Sequence, residues 1–98
     1  MTYKKIDRNQ NVIVIALRNY GYSVKSTAGI GKGFPDIIVG SHGRNYLFEI
    51  KASKKEKLTL DEKVFKISWR GQYKVITTAQ EIIEIIEKDL YEQSNRKT

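Results

Sequence analysis

Asp36, Glu49 and Lys51 are the residues of this chain whose types and spacing can do chemistry. Alternate residues of a β-strand point the same way, so Glu49 and Lys51 share a face if the segment around them is extended. A strand pair folded about His42 and Gly43 would set Val39 opposite Tyr46, Ile38 opposite Leu47, Ile37 opposite Phe48 and Asp36 opposite Glu49. Three ionisable groups then emerge together where an apolar face ends. Two carboxylates placed side by side repel each other, and directly opposed like charges destabilise a sheet. A divalent cation held between them compensates, and hard oxygen ligands select magnesium, with manganese able to substitute. The backbone carbonyl of Ile50 is a further ligand within reach. Lys51, beside that cation, can neutralise a phosphate oxygen, or orient an attacking water and help to deprotonate it. The cation lowers the pKa of bound water and stabilises charge building on phosphorus. The reaction these groups suit is in-line hydrolysis of a phosphodiester.

The elements that must position the triad are legible around it. A first helix is predicted from about Arg8 to Asn19, with Asp7 as its cap, Gln10 completing a capping box and Gly21 following its end. Tyr22 to Ala28 reads as a strand. Gly29 to Gly33 resembles a phosphate-binding loop only superficially. It lacks the terminal Lys-Ser/Thr, and a strand follows it, so no nucleotide cofactor is expected. Phe34 to Gly40 and Asn45 to Ala52 form a hairpin whose tip, His42-Gly43, suits the positive φ values of a two-residue turn. A basic loop, Lys51 to Lys57, leads to a second helix opened by a Thr59/Glu62 capping box and stopped by Gly71. Leu60, Val64 and Ile67, with Phe65 and Trp69 alongside, give that helix an apolar face. Tyr73 to Thr77 is a fourth strand. Thr78 and Glu81 cap a third helix striped with Ile82, Ile83, Ile86 and Leu90, and its Glu81, Glu84 and Glu87 read as a solvated face. The order αβββαβα, with a hairpin apolar on both faces, predicts an α/β three-layer sandwich of helices around a mixed central sheet. Residues 1–92 form one domain, and 93–98 read as a polar C-terminal tail.

Composition narrows the partners. The 98 residues carry a net charge of +7, which favours an anionic partner, with nucleic acid the first choice. Residues 1–78 hold 15 Lys+Arg against 6 Asp+Glu, whereas residues 79–98 hold 3 against 5, so the last helix is not expected to face the polyanion. Lys32, Arg44, Lys54, Lys55 and Lys57 are the candidate phosphate contacts, with Lys25 and Arg18 weaker ones. No cysteine is present, which excludes disulfides and cysteine-bound zinc and suits a reducing cytosol. No apolar run is long enough to span a bilayer, so no membrane partner is expected. His42, the one histidine, reads as a turn residue rather than a general base, and Phe65 and Trp69 as core rather than base-stacking platforms.

Pro35-Asp36 followed by Glu49-Ile50-Lys51 resembles the signature of the PD-(D/E)XK nuclease superfamily. Gly31-Lys32-Gly33-Phe34-Pro35-Asp36, Leu58-Thr59 and Trp69-Arg70-Gly71-Gln72 are similar to its VRR-NUC branch, which includes small stand-alone nucleases of phages and bacteria. The likeness spans about residues 7–86. It implies a restriction-endonuclease-like fold, magnesium-dependent cleavage and activity related to Holliday junction resolvases, with Asp36 and Glu49 as metal ligands and Lys51 as the catalytic lysine. Many relatives carry a further acidic residue on the first helix, where this chain offers Asp7 and Gln10, with capping favoured for Asp7. Relatives often have Gln where this chain has Glu62. The expectation is a magnesium-dependent endonuclease of branched or duplex DNA, homodimeric because cutting both strands needs two sites. The competing expectations are a non-catalytic nucleic-acid-binding module and a subunit that cuts only with a partner protein.

Overall fold

The computed structural model describes residues 6–96, with side chains from Asn9 onward. In chain order they form α1 (Ile6–Tyr20), β1 (Ser23–Ser26), a 3-10 turn (Ala28–Ile30), β2 (Ile37–Ser41), β3 (Arg44–Ile50), α2 (Leu60–Ser68), β4 (Lys74–Ile76) and α3 (Ala79–Arg96). The four strands make one mixed sheet in the order β1-β2-β3-β4, with β1–β2 and β2–β3 antiparallel and β3–β4 parallel. The parallel step follows from the α2 crossover, since a parallel neighbour cannot be reached by a tight turn.

The hairpin register is the expected one: Ile37 pairs with Phe48, Ile38 with Leu47 and Val39 with Tyr46. His42 and Gly43 take φ values of 53° and 78°, the left-handed pair that a two-residue turn of this twist demands. A slip of one residue would turn every side chain to the other face, so this turn fixes which side of the sheet receives the acids.

One sheet face carries Val24, Ile37, Val39, Tyr46, Phe48, Ile50 and Ile76, packed with Ile13, Val14 and Leu17 of α1 and Ile82 and Ile86 of α3. Both helices bury residues spaced by four, which lie on one side of a helix. α1 ends at Gly21 (φ 116°), where the Gly21 amide donates to Arg18 O at 3.0 Å and the Tyr22 amide to Leu17 O at 3.1 Å, closing the last turn. No helix among the described residues is long and apolar enough to cross a membrane.

Several local expectations are corrected. α1 already includes Ile6, so Asp7 lies within its first turn rather than capping it; the Asp7 side chain is outside the described residues. Gln10 is not a capping-box partner either: its side chain is buried, and its Nε2 donates to Ser26 Oγ at 3.0 Å. α2 ends at Ser68, before Gly71, with Trp69 extended as its cap. Its Leu60, Val64 and Ile67 do not bury a stripe but stand in solvent, Ile67 at 84% exposure, and Phe65 and Trp69 make its aromatic contacts with Phe34 instead. α3 runs on through Arg96, into the segment read as a tail.

The acidic residues of α3 are not merely solvated. Tyr22 Oη donates to Glu87 at 2.6 Å, Tyr46 Oη donates to Asp89 at 2.7 Å, and Glu81 closes the α3 capping box. Lys54 Nζ, 2.7 Å away, and the Thr77 amide hold the Glu81 carboxylate down at about 2. Because the folded state depresses this pKa, its contribution is complete above the ordinary value of 4.5 and is lost as pH falls toward 2. Glu81→Gln is expected to lower the melting temperature by a few degrees at pH 7. Thermal melts in a pH series should show the gap to wild type closing between pH 4.5 and 2.

Candidate active site

The face of the sheet opposite α1 and α3 carries Ile38 and Leu47 and ends in Asp36, Glu49 and Lys51. Asp36 is fixed from three directions. Its amide donates to Phe48 O at 3.0 Å, its carbonyl accepts from the Thr27 amide at 2.8 Å, and its Oδ2 accepts from the Ile50 amide at 2.8 Å. The side chain thus takes the ladder position left open before β2 begins at Ile37, and it meets Glu49 as the register predicts. Pro35 just before it is fully buried, with its carbonyl taken by Thr27 Oγ1 at 2.7 Å.

Glu49 and Lys51 are 3% and 6% exposed, unusual burial for ionisable side chains. Lys51 is anchored by its amide to Ile76 O at 2.9 Å. Its Nζ lies 2.7 Å from Glu62 Oε1, 3.5 Å from Glu49 Oε2 and 3.6 Å from Glu56 Oε2. Glu62 therefore does two jobs: it completes the α2 capping box with Thr59, and it grips the lysine.

The electrostatics sort these groups. Burial, then the charges of Asp36 and Glu62, push Glu49 up to about 9 despite the nearby lysine, whose ammonium sits closer to Glu62. Burial raises Asp36 too, against the Ile50 amide and a hydrogen bond from Glu49 that hold it down. Burial and repulsion among the acids thus push both carboxyls upward from their ordinary values, Glu49 the more strongly. Burial alone would lower Lys51, but the Glu62 hydrogen bond and the surrounding acids outweigh it and raise its pKa. Glu62 is lowered, since the bond from Lys51 overcomes its partial burial. Of the two roles expected for Lys51, this arrangement favours the electrostatic one, because a stabilised ammonium cannot accept a proton.

Among the described residues, no three His, Cys, Asp or Glu side chains are arranged as a metal-binding set. The donors at this place are two carboxyl groups and the Ile50 carbonyl. Hard oxygens of this kind fit a magnesium or manganese ion that keeps several of its waters, and a cation would relieve the repulsion between two neighbouring carboxyls.

The other sequence candidates divide. Lys32 is exposed, with φ 53°, beside Gly33, whose backbone abuts the first turn of α2. Lys55 and Lys57 are exposed in the loop after Lys51, and Lys54 reaches across to Glu81. Arg44 is not at the site. It lies at the other end of β3, about 17 Å from Glu49 at the usual strand rise, and it pairs with Asp89 at 3.3 Å. Arg18 donates to Val24 O at 2.8 Å. Near the site, Asn9 Nδ2 lies 3.5 Å from Lys51 O, and the buried Gln10 Oε1 has no hydrogen-bond partner among the described residues. Glu56 also reaches the triad through Lys51, and sequence reasoning missed it, since nothing in its spacing marks it. Gly33, already part of the motif, backs onto the first turn of α2, and Tyr73 lies by register on the sheet face of Glu49.

Comparison of the chain with protein-family models, with characterised proteins and with solved structures gave no match.

Proposed function

We propose that this protein is a magnesium-dependent endodeoxyribonuclease of the PD-(D/E)XK kind, similar to the small VRR-NUC nucleases, and that it acts on branched DNA in the manner of a junction resolvase. The observation that carries this reading is the convergence of buried Glu49 and Lys51 with Asp36 at one end of the sheet, in the register that the signature requires. A binding module gains nothing from clustered acids where phosphates must approach. The restriction-endonuclease-like layering belongs to the same reading: α1 and α3 cover one face, and α2 reaches the site face through Glu62 and Phe65.

Asp36 and Glu49, with the Ile50 carbonyl, would hold the magnesium ion, which supplies an acidified water and charge stabilisation at phosphorus. Asp36 keeps one oxygen on the Ile50 amide and presents the other. Lys51 holds its ammonium beside the scissile phosphate, a fixed positive charge in a buried setting where it counts for more than in water. Lys32, Lys54, Lys55 and Lys57 would carry flanking phosphates, contacts that make binding strongly salt-sensitive and weakly sequence-dependent. The solvent-facing Leu60, Val64 and Ile67 of α2 offer an apolar stripe for a two-fold contact, which supports a homodimer cutting both strands.

The test is cleavage of labelled single-stranded, duplex, flap and four-way-junction DNA, with magnesium, manganese or chelator. Asp36→Asn keeps an oxygen for the Ile50 amide and Glu49→Gln keeps the buried shape. Both are expected to fold and to lose about 100-fold or more in rate. Tight DNA binding with no cutting in either metal would overturn the enzyme and leave a binding module or a partner-dependent subunit.

A further inference from the structure

Tyr73 stands one residue before β4. In the parallel register Phe48 lies beside Lys74 and Glu49 beside Val75, so Tyr73 falls beside Leu47 and points to the face of Glu49. Its ring packs on Phe65 at 5.2 Å, which fixes its direction. The hydroxyl is shut off from solvent and has no hydrogen-bond partner among the described residues. Burial first, and then the charges of Glu49, Glu62 and Asp36, hold the phenol up at about 12 against the opposing charge of Lys51. A neutral hydroxyl is thus buried next to the acid cluster, touching none of its members.

Leaving a buried hydroxyl unpaired is costly. Phenylalanine would fill the same space against Phe65 without that cost, so the hydroxyl is open to a partner from outside the described side chains. Magnesium and manganese held by few protein oxygens keep several waters, and those waters, polarised by the ion, are strong donors that need acceptors around them. A neutral phenol oxygen is such an acceptor.

We propose that Tyr73 Oη accepts a hydrogen bond from a water of the divalent cation held by Asp36 and Glu49, making Tyr73 a positioning residue for the hydrated ion. This rests on the metal-dependent reading above and adds a residue to it. The phenol moves no proton; it orients the water and fixes where the ion sits.

The experiment is manganese binding by calorimetry to wild type, Tyr73→Phe and Asp36→Asn, with metal-free thermal melts and junction cleavage on the same proteins. Tyr73→Phe is expected to melt at or above the wild-type temperature without metal, because the unpaired hydroxyl is gone. It is also expected to bind manganese about 10-fold more weakly and to lose a similar factor in kcat, with KM for DNA unchanged. Equal manganese affinity in wild type and Tyr73→Phe would overturn the role of Tyr73 and leave the nuclease reading standing. A metal-free melting temperature well below wild type would also overturn it, since the hydroxyl would then have a partner within the protein. A wild type that binds no manganese at millimolar concentration would remove both readings together.

Discussion

Replacing Lys51 by methionine is expected to reduce single-turnover cleavage by about 100- to 1,000-fold while leaving the fold standing. The rate loss follows from the removal of the ammonium that Glu62 fixes at the acid cluster. The survival of the fold follows from how that ammonium is held. Lys51 is 6% exposed, so a methionine of similar length fills its slot without a cavity. Burial and the neighbouring acids already push Glu49 upward, which lessens its need for the ammonium 3.5 Å away. Glu62 loses its ion pair but keeps the Thr59 amide at 2.9 Å, and 17% of its side chain reaches solvent. The usual penalty for breaking a buried ion pair, about 3–5 kcal/mol, should therefore be softened to a melting-temperature loss of a few degrees. Cleavage assays and melts on the same preparation check both halves. A wild-type cutting rate in Lys51→Met would remove the lysine from the chemistry, and an unfolded variant would make its ion pairs a matter of stability first.

The second large effect lies outside the triad, at Gly33. This glycine has φ 82°, and a Cβ built on it would run into the Asp61 carbonyl oxygen and come 2.5 Å from its carbon. These are backbone atoms of the first turn of α2, which cannot swing aside as a side-chain end could. Gly33→Ala is expected to cost about 2–4 kcal/mol, from the left-handed backbone and the forced separation together. In a domain of this size that corresponds to a melting-temperature drop on the order of 10–25 °C. Activity should fall further than stability explains, because pushing α2 away moves Glu62, and with it the grip on Lys51. Gly43→Ala is the control. Gly43 has a similar φ of 78° but nothing within 4 Å of an added Cβ, so only the conformational part of the cost should appear. Equal losses in the two variants would show that the approach of Gly33 to α2 does not matter.

The contrast between these two positions marks how far the sequence carries. Lys51 could be picked out from the chain because its signal is local: a two-residue spacing on a strand and a register set by a His-Gly turn. Periodicity of 2 fixes a face, and a two-residue hairpin fixes a pairing, so the convergence of Asp36 with Glu49 followed without tertiary information. The order of elements and the Thr59/Glu62 and Thr78/Glu81 capping boxes are local in the same sense, and the structure contains them. Where the sequence misled, distant partners overrode local preference. The α2 stripe of Leu60, Val64 and Ile67 has helical period, yet the tertiary structure turns Glu62 and Phe65 inward, because Lys51 and the Phe34–Trp69–Tyr73 aromatic group supply their partners. Arg44 and Lys54 are two equally basic residues on paper; Asp89 and Glu81, 45 and 27 residues away in the chain, decide what they face. By itself the sequence determined which side chains could form a carboxylate–lysine site and which strand pair would bring them together, since those depend on spacing along one hairpin. Only the tertiary structure decided that Glu49 is buried with its pKa raised, that Glu62 holds Lys51, that Gly33 packs on α2 and that Tyr73 lies on the face of Glu49, because burial and charge at a point are set by segments that meet only when the chain has folded.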